Sequence, residues 1–260
     1  MSRRISSFVA LALAAAGTAF GQASFQPLGY SENFDSMGTA GTAAPTGWRH
    51  FVTSFGSNST WTSSVTFSGV NSVATDAVTR TATTLVATNN PTANQNNGYN
   101  AARSTSATSD RVLASAPTTV AGGILQLQLR NDTALSLPAG FQLTVSFDTV
   151  RFSSVSSANQ LPGYWLGVSQ NAGSTWTNVG PNPTIATVPN SVGVTSSTLT
   201  YTLSSTWNIG SSIYFRWVDD NAQETSPDQI IGLNNVSIVP TPGAAMLFAA
   251  AGLVGIRRRR

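Results

Sequence analysis

The sequence predicts an all-β chain, a single antiparallel sandwich or barrel between two short apolar termini. Three observations predict it. Apolar and polar residues alternate along most of the interior, Gly- and Pro-bearing turn signals separate those runs, and no long internal stretch has a 3.6-residue apolar period.

The first element is a leader over residues 1–23. Arg3 and Arg4 precede an apolar run from Phe8 to Ala16, and small residues follow at Gly21 and Ala23. That order is a secretory signal peptide, a short signal helix with cleavage after Ala23. Ile5-Ser6-Ser7 after the arginine pair favours the general secretory translocase over the twin-arginine route.

The β domain spans residues 24–239. Leu125, Leu127 and Leu129 alternate with Gln126, Gln128 and Arg130, and Phe141, Leu143, Val145 and Phe147 with Gln142, Thr144, Ser146 and Asp148. Leu199, Tyr201 and Leu203 repeat the pattern, as do Ile213, Phe215 and Trp217. One buried face and one solvated face mark antiparallel sheets. Turn signals fall at Leu137-Pro138-Ala139-Gly140, Leu161-Pro162-Gly163, Asn171-Ala172-Gly173 and Pro181-Asn182-Pro183. No repeat of twenty to fifty residues is visible, which argues against a propeller or β-helix. Residues 88–109, rich in Asn, Ser and Thr, read as a long surface loop.

The last element, residues 240–260, opens on Pro240-Thr241-Pro242-Gly243 and continues as an apolar run from Ala244 to Ile256. Arg257, Arg258, Arg259 and Arg260 close it. As a helix the apolar run reaches roughly 20 Å, short of the ~30 Å hydrocarbon core. The arginines stay on the cytoplasmic side, so the segment holds an exported chain transiently at the membrane.

Charge and cysteine content narrow the function classes. The chain has no Lys, and six of its thirteen arginines lie in the two terminal segments. Residues 24–240 keep seven arginines and all ten acidic residues, so their formal charge is 7 minus 10, or −3. The basic balance belongs to the termini, and nothing in the domain suits nucleic acid. With no Cys, neither disulfides nor thiolate metal sites operate. The domain is sparsely charged and rich in hydroxyls and amides, a surface that suits extracellular polysaccharide.

His50 is the only histidine, so any Ser-His-Asp system must use it, and no nucleophile motif flanks it. It reads as an ordinary strand or loop residue. Asp219, Asp220, Glu224 and Asp228 crowd one loop, and Glu32 and Asp35 are candidates to share its end of the domain. Glycoside hydrolysis needs two carboxyls about 5–9 Å apart. A structural calcium on Asp219, Asp220, Asn221 and Asp228 fits the residue types better, because Ca²⁺ takes six to eight oxygens of this kind. Trp48, Trp61, Tyr99, Tyr164, Trp165, Trp176 and Trp207 are candidates for a sugar-stacking platform, although large aromatics more often fill a sandwich core. Sequons at Asn58, Asn131 and Asn235 are expected by chance in so Ser/Thr-rich a chain.

Three resemblances refine this. The C-terminal segment resembles the PEP-CTERM sorting signal of bacterial exported proteins, with Thr241 where the family name has Glu. It implies processing by an exosortase and delivery to the envelope, cell surface or extracellular matrix. Glu32-Asn33-Phe34-Asp35, Pro45-Thr46-Gly47-Trp48, Ser109-Asp110-Arg111-Val112-Leu113, Phe215 to Asn221 and Gly232 to Ile238 resemble a functionally mixed group of jelly-roll domains of secreted bacterial proteins. That implies a single jelly-roll-type sandwich, with Glu32 to Asp35 brought near Asn234 to Ile238. Ser169 to Trp176 resembles the Asp-box hairpin, with Asn171 in place of Asp, Gly173 at positive φ and Trp176 packed back over the turn. The combined expectation is an exported, non-enzymatic surface or matrix protein; a carbohydrate-binding module is the alternative and a glycan hydrolase the third reading.

Overall fold

The alternating runs become strands in the computed structural model, which describes residues 21–54, 83–92, 95–116, 121–153, 163–179, 191–219 and 229–241. Both flanking helices expected at the termini lie outside these residues. In chain order the strands are β1 (Ala23–Phe25), β2 (Tyr30–Glu32), β3 (Trp48–Ser54), β4 (Val86–Thr88), β5 (Gln95–Ser104), β6 (Ala107–Ala116) and β7 (Ala121–Asn131). They continue with β8 (Gln142–Arg151), β9 (Trp165–Ser169), β10 (Thr177–Asn178), β11 (Gly193–Thr202), β12 (Ser212–Asp219) and β13 (Ile231–Pro240).

Two sheets form a sandwich. One runs β1-β7-β12-β9-β10, with β3 also paired to β7; the other runs β11-β8-β13-β6-β5-β4, with β2 also paired to β13. Pairing is antiparallel except for β1 on β7 and β4 on β5. The expected meeting of Glu32 with the last strand is present: Glu32 stands opposite Val236 and Tyr30 opposite Ile238.

Alternation explains the core. Leu125, Leu127, Leu129, Ile213, Phe215 and Trp217 from one sheet meet Leu143, Val145, Phe147, Leu233, Val236 and Ile238 from the other. Trp217 sits at the centre, its ring 5.3 Å from Trp48 and 5.8 Å from Phe147. Offset and edge-on aromatic contacts of this kind add to the area they bury. A smaller cluster lies on the outer face of the seven-stranded sheet, where Val112, Ala114, Val150 and Phe152 close over Gly232. A Cβ on Gly232 would stand 2.2 Å from Val112 Cγ1, so only glycine allows that closure.

Three boundaries differ from the sequence reading. Within the expected loop 88–109, residues 95–104 and 107–109 belong instead to the antiparallel hairpin β5–β6, which runs on to Ala116. Buried Asn100 explains it: its amide donates to Gly38 O and Gly41 O and its oxygen accepts from Arg111 Nε, so a residue of low strand propensity is held by its side chain. Pro240, expected to open the terminal segment, still belongs to the sheet: it ends β13 opposite Leu143, and Thr241 N–H donates to Gln142 O. Proline is tolerated there because it closes the strand. At the other terminus, buried Ala23 already stands in β1 opposite Leu129, so a cut after Ala23 would shorten that strand.

The register sorts the connections between two ends of the sandwich. Turns 26–29, 132–141 and 203–211 share one end with Thr241, as the bonds Gly140 N to Leu203 O and Thr241 N to Gln142 O show. Ser54, Ser115, Arg151 and Asp219 lie at the opposite end, where Ser54 meets Ala121, Asp219 meets Gly123, and Ile231 meets both Ser115 and Arg151.

Candidate functional site

A groove of about 520 Å³ opens on the outer face of the seven-stranded sheet, toward the end that carries Arg151. One wall comes from the turn after β4 and from the β5–β6 hairpin, with Asn89, Asn90, Arg103, Ser104, Thr105 and Asp110. The other comes from the end of β8 and the start of β11, with Val150, Phe152, Val192 and Val194. Val192 is 65% and Val194 41% exposed, two of only five large apolar side chains exposed among the described residues.

Local pairing sets both walls. Val194 lies opposite Val150 in the β8–β11 register, on the outward parity of both strands. Along the same face the pairs become hydroxylated: Ser196 Oγ donates to Asp148 at 2.5 Å, and Ser146 and Thr198 hydroxyls meet at 3.1 Å. Opposite, the guanidinium of Arg103 meets Asp110 at 3.3 Å with both side chains about one-third exposed. Asn234 Nδ2 donates to the other oxygen of Asp110 and so orients it. Buried Arg151 donates to Ser191 O and Thr195 Oγ1, which fixes the start of β11 and thus the Val192–Val194 strip. The groove therefore presents an apolar strip facing amides, hydroxyls and an ion pair. Its described lining holds one carboxylate, Asp110.

The residues singled out from sequence go elsewhere. Trp48, Tyr99, Tyr164, Trp165, Trp176 and Trp207 are all buried, and Trp61 lies outside the described residues. The aromatic platform is thus corrected: these rings serve the core and the hairpins. The Asp-box-like turn has the expected form, with Gly173 at φ 86° and Trp176 Nε1 donating to Gly173 O. Its ring covers the Arg216 guanidinium at 3.7 Å, which is why an outward-facing arginine in β12 is buried.

Asp219 is not part of a solvated acidic loop. It ends β12 buried between the sheets and accepts from Ser115 Oγ at 2.6 Å, with Tyr164 OH beside Ser115 and donating to Ile231 O. Burial and the neighbouring Asp219 charge push the Tyr164 phenol well above its ordinary range. Asp220, Asn221, Glu224 and Asp228 lie outside the described residues, and no group of three or more metal-ligating side chains occurs among those described. Glu32 and Asp35 do not join Asp219. Glu32 accepts from Phe34 N–H, burial raising its carboxyl above the usual range, and Asp35 accepts from Arg111 N–H. Asn131 is buried and donates to Leu135 O and Trp207 O, so that sequon is a structural corner.

His50 is a buried strand residue of β3, as expected. Its Nδ1 lies 2.6 Å from Thr83 Oγ1. Thr83 Oγ1 also reaches Asn97 O at 3.0 Å and His50 O at 3.4 Å; with its proton on either carbonyl, Nδ1 carries the imidazole proton and Nε2 the lone pair. Nε2 has no partner among the described residues and faces Gly98 and Gly123.

No protein-family model matches the chain, and no curated protein matches it in sequence. Among solved structures it is similar to the N-terminal cellulose-binding domain of β-1,4-glucanase C from Cellulomonas fimi, at 12% identity and TM-score 0.38, covering 82% of this chain and 96% of that one. It is also similar to the K3 cleaved adhesin domain of Lys-gingipain from Porphyromonas gingivalis, at 13% identity and TM-score 0.37, covering 81% and 97%. A third is the apo form of a cyclase from Fischerella sp., at 14% identity and TM-score 0.34, covering 82% and 83%.

Proposed function

We propose that this chain is an exported, non-catalytic polysaccharide-binding domain of the jelly-roll type, carried to the cell surface or extracellular matrix by its terminal segments. The observation that carries the binding role is the exposed Val192–Val194 strip facing Asn89, Asn90, Arg103 and Asp110 across one groove. Sugar rings have apolar C–H faces and hydroxylated edges. A site for them needs apolar contact on one side and fixed donors and acceptors on the other. The hydroxylated face of β8 and β11 continues the groove and suits a chain of sugars over a single one. Among its described lining residues the groove holds one carboxylate, already paired with arginine, where glycosidic cleavage needs two.

Residues 21–241 are therefore expected to retain polysaccharides on a glycan array without releasing reducing ends. Val194→Asp is expected to weaken binding about tenfold, the equivalent of losing one buried valine contact. Arg103→Ala is expected to weaken it as well, with the thermal transition of both variants kept. No retention of any glycan by the folded domain would overturn the reading and leave a purely structural matrix protein.

Export rests on the Arg3-Arg4 leader, and sorting on the Pro240 to Arg260 segment with an exosortase as processing partner. The mature protein from its native host is expected to lack both ends by intact mass and to focus as an acidic species. Arg257 to Arg260 retained on the exported form would refute processing.

A further inference from the structure

We infer that, while the C-terminal segment is in the membrane, the sandwich stands end-on against the bilayer and touches lipid through Leu28, Leu135 and Ile209. This rests on reading Ala244 to Ile256 as a membrane segment. Thr241, the last described residue, is fixed to the sheet by its N–H bond to Gln142 O. Only Pro242 and Gly243 separate it from Ala244. Three residue steps of extended chain reach at most about 11 Å. The end that bears Thr241 cannot stand off from the headgroups.

That end carries the other exposed apolar side chains. Leu28 is 91%, Ile209 56% and Leu135 38% exposed, against 65% for Val192 at the opposite end. Their positions on the shared end are set by the backbone. Gly29 packs on Ile238 and Val239, placing the Leu28 turn beside the last residues of β13. Leu137 and Trp207 exchange backbone bonds, and Ile209 N–H donates to Ser136 Oγ, which joins the Leu135 and Ile209 turns. The Leu135 and Ile209 turns are anchored from beneath: Asn131 Nδ2 donates to Leu135 O and Trp207 O, and Trp207 Nε1 donates to Ser211 O. Rigid turns that hold apolar tips outward gain by entering the headgroup region, as amphipathic interfacial segments do. The same orientation points the Val192–Val194 groove away from the membrane.

The chain has no Cys, so single cysteines can be placed at Leu28, Leu135, Ile209 and Val192 without background. The full chain, each variant carrying one fluorophore, is reconstituted into vesicles of phosphatidylethanolamine and phosphatidylglycerol. Nitroxide lipids are expected to quench labels at 28, 135 and 209 severalfold more than the label at 192, and the difference is expected to vanish for residues 21–241 alone. Equal quenching at all four positions, with the chain floating with vesicles, overturns the end-on contact while leaving the anchor intact. Failure of the chain to float overturns the anchor and the contact with it. Energy transfer between labels at 28, 135 or 209 of different molecules without lipid assigns that end to a second copy and overturns the proposal.

Discussion

Deleting residues 230–241 abolishes cooperative unfolding of the domain. β13 is the centre of the seven-stranded sheet, with β8 along one edge and β6 and β2 sharing the other. Its removal leaves three strands with an open edge and takes Ile230, Ile231, Leu233, Val236 and Ile238 out of the protein, all of them buried. Five such side chains at about 1.5–3 kcal/mol each amount to on the order of 10 kcal/mol, comparable to the whole net stability of a domain. Residues 21–241 are expected to melt in one sharp transition followed by tryptophan fluorescence, since Trp217 reports the core directly. Residues 21–229 are expected to show a featureless slope. A sharp transition at an unchanged temperature in the shorter chain would refute the central role of β13.

The strands that could be read from sequence are those whose side chains alone decide their placement. From Phe141 to Phe147 and from Ile213 to Trp217, every second residue enters the core, and the pattern names the buried face. Where a partner decides, the pattern is silent. The β5 strand looks like loop because Asn97, Gly98, Tyr99 and Asn100 have no apolar period, yet Asn100 is held by Arg111 and by the carbonyls of Gly38 and Gly41. Arg216 breaks no rule of alternation but is buried by Trp176 from a hairpin forty residues earlier in the chain. Asp219 looks like the start of an acidic loop, and only the register opposite Gly123 brings it to Ser115. The groove is hidden in the sequence for the same reason. Its walls come from residues 89–110, 150–152 and 192–194, which only the sheet order brings together. The one local signal was Val192 and Val194 at the start of a run otherwise filled with Ser and Thr, apolar residues where the solvated face should be polar.

His50 contributes stability that is lost as pH falls from about 6.5 to about 4. Burial lowers the His50 imidazole from 6.5 to about 4. A second proton would have to sit on Nε2, which faces the backbone of Gly98 and Gly123 with no acceptor among the described residues. Above about 6.5 the imidazole is neutral in both folded and unfolded chains, and its contribution is complete. Between the two values the unfolded chain binds a proton that the folded chain excludes, so stability falls as pH falls. Below about 4 the folded chain takes the proton too and the loss levels off. The difference corresponds to on the order of 3 kcal/mol. His50→Gln keeps a donor for Thr83 and cannot titrate. Its urea midpoint is expected to fall less between about pH 7.5 and 4.5 than that of the parent domain, because the carboxylates that titrate in this range, Glu32 among them, are common to both and cancel in the comparison. Parallel pH profiles for the two proteins would mean that His50 is solvated in the folded state, and would also open the packing of β3 against Gly98 to revision.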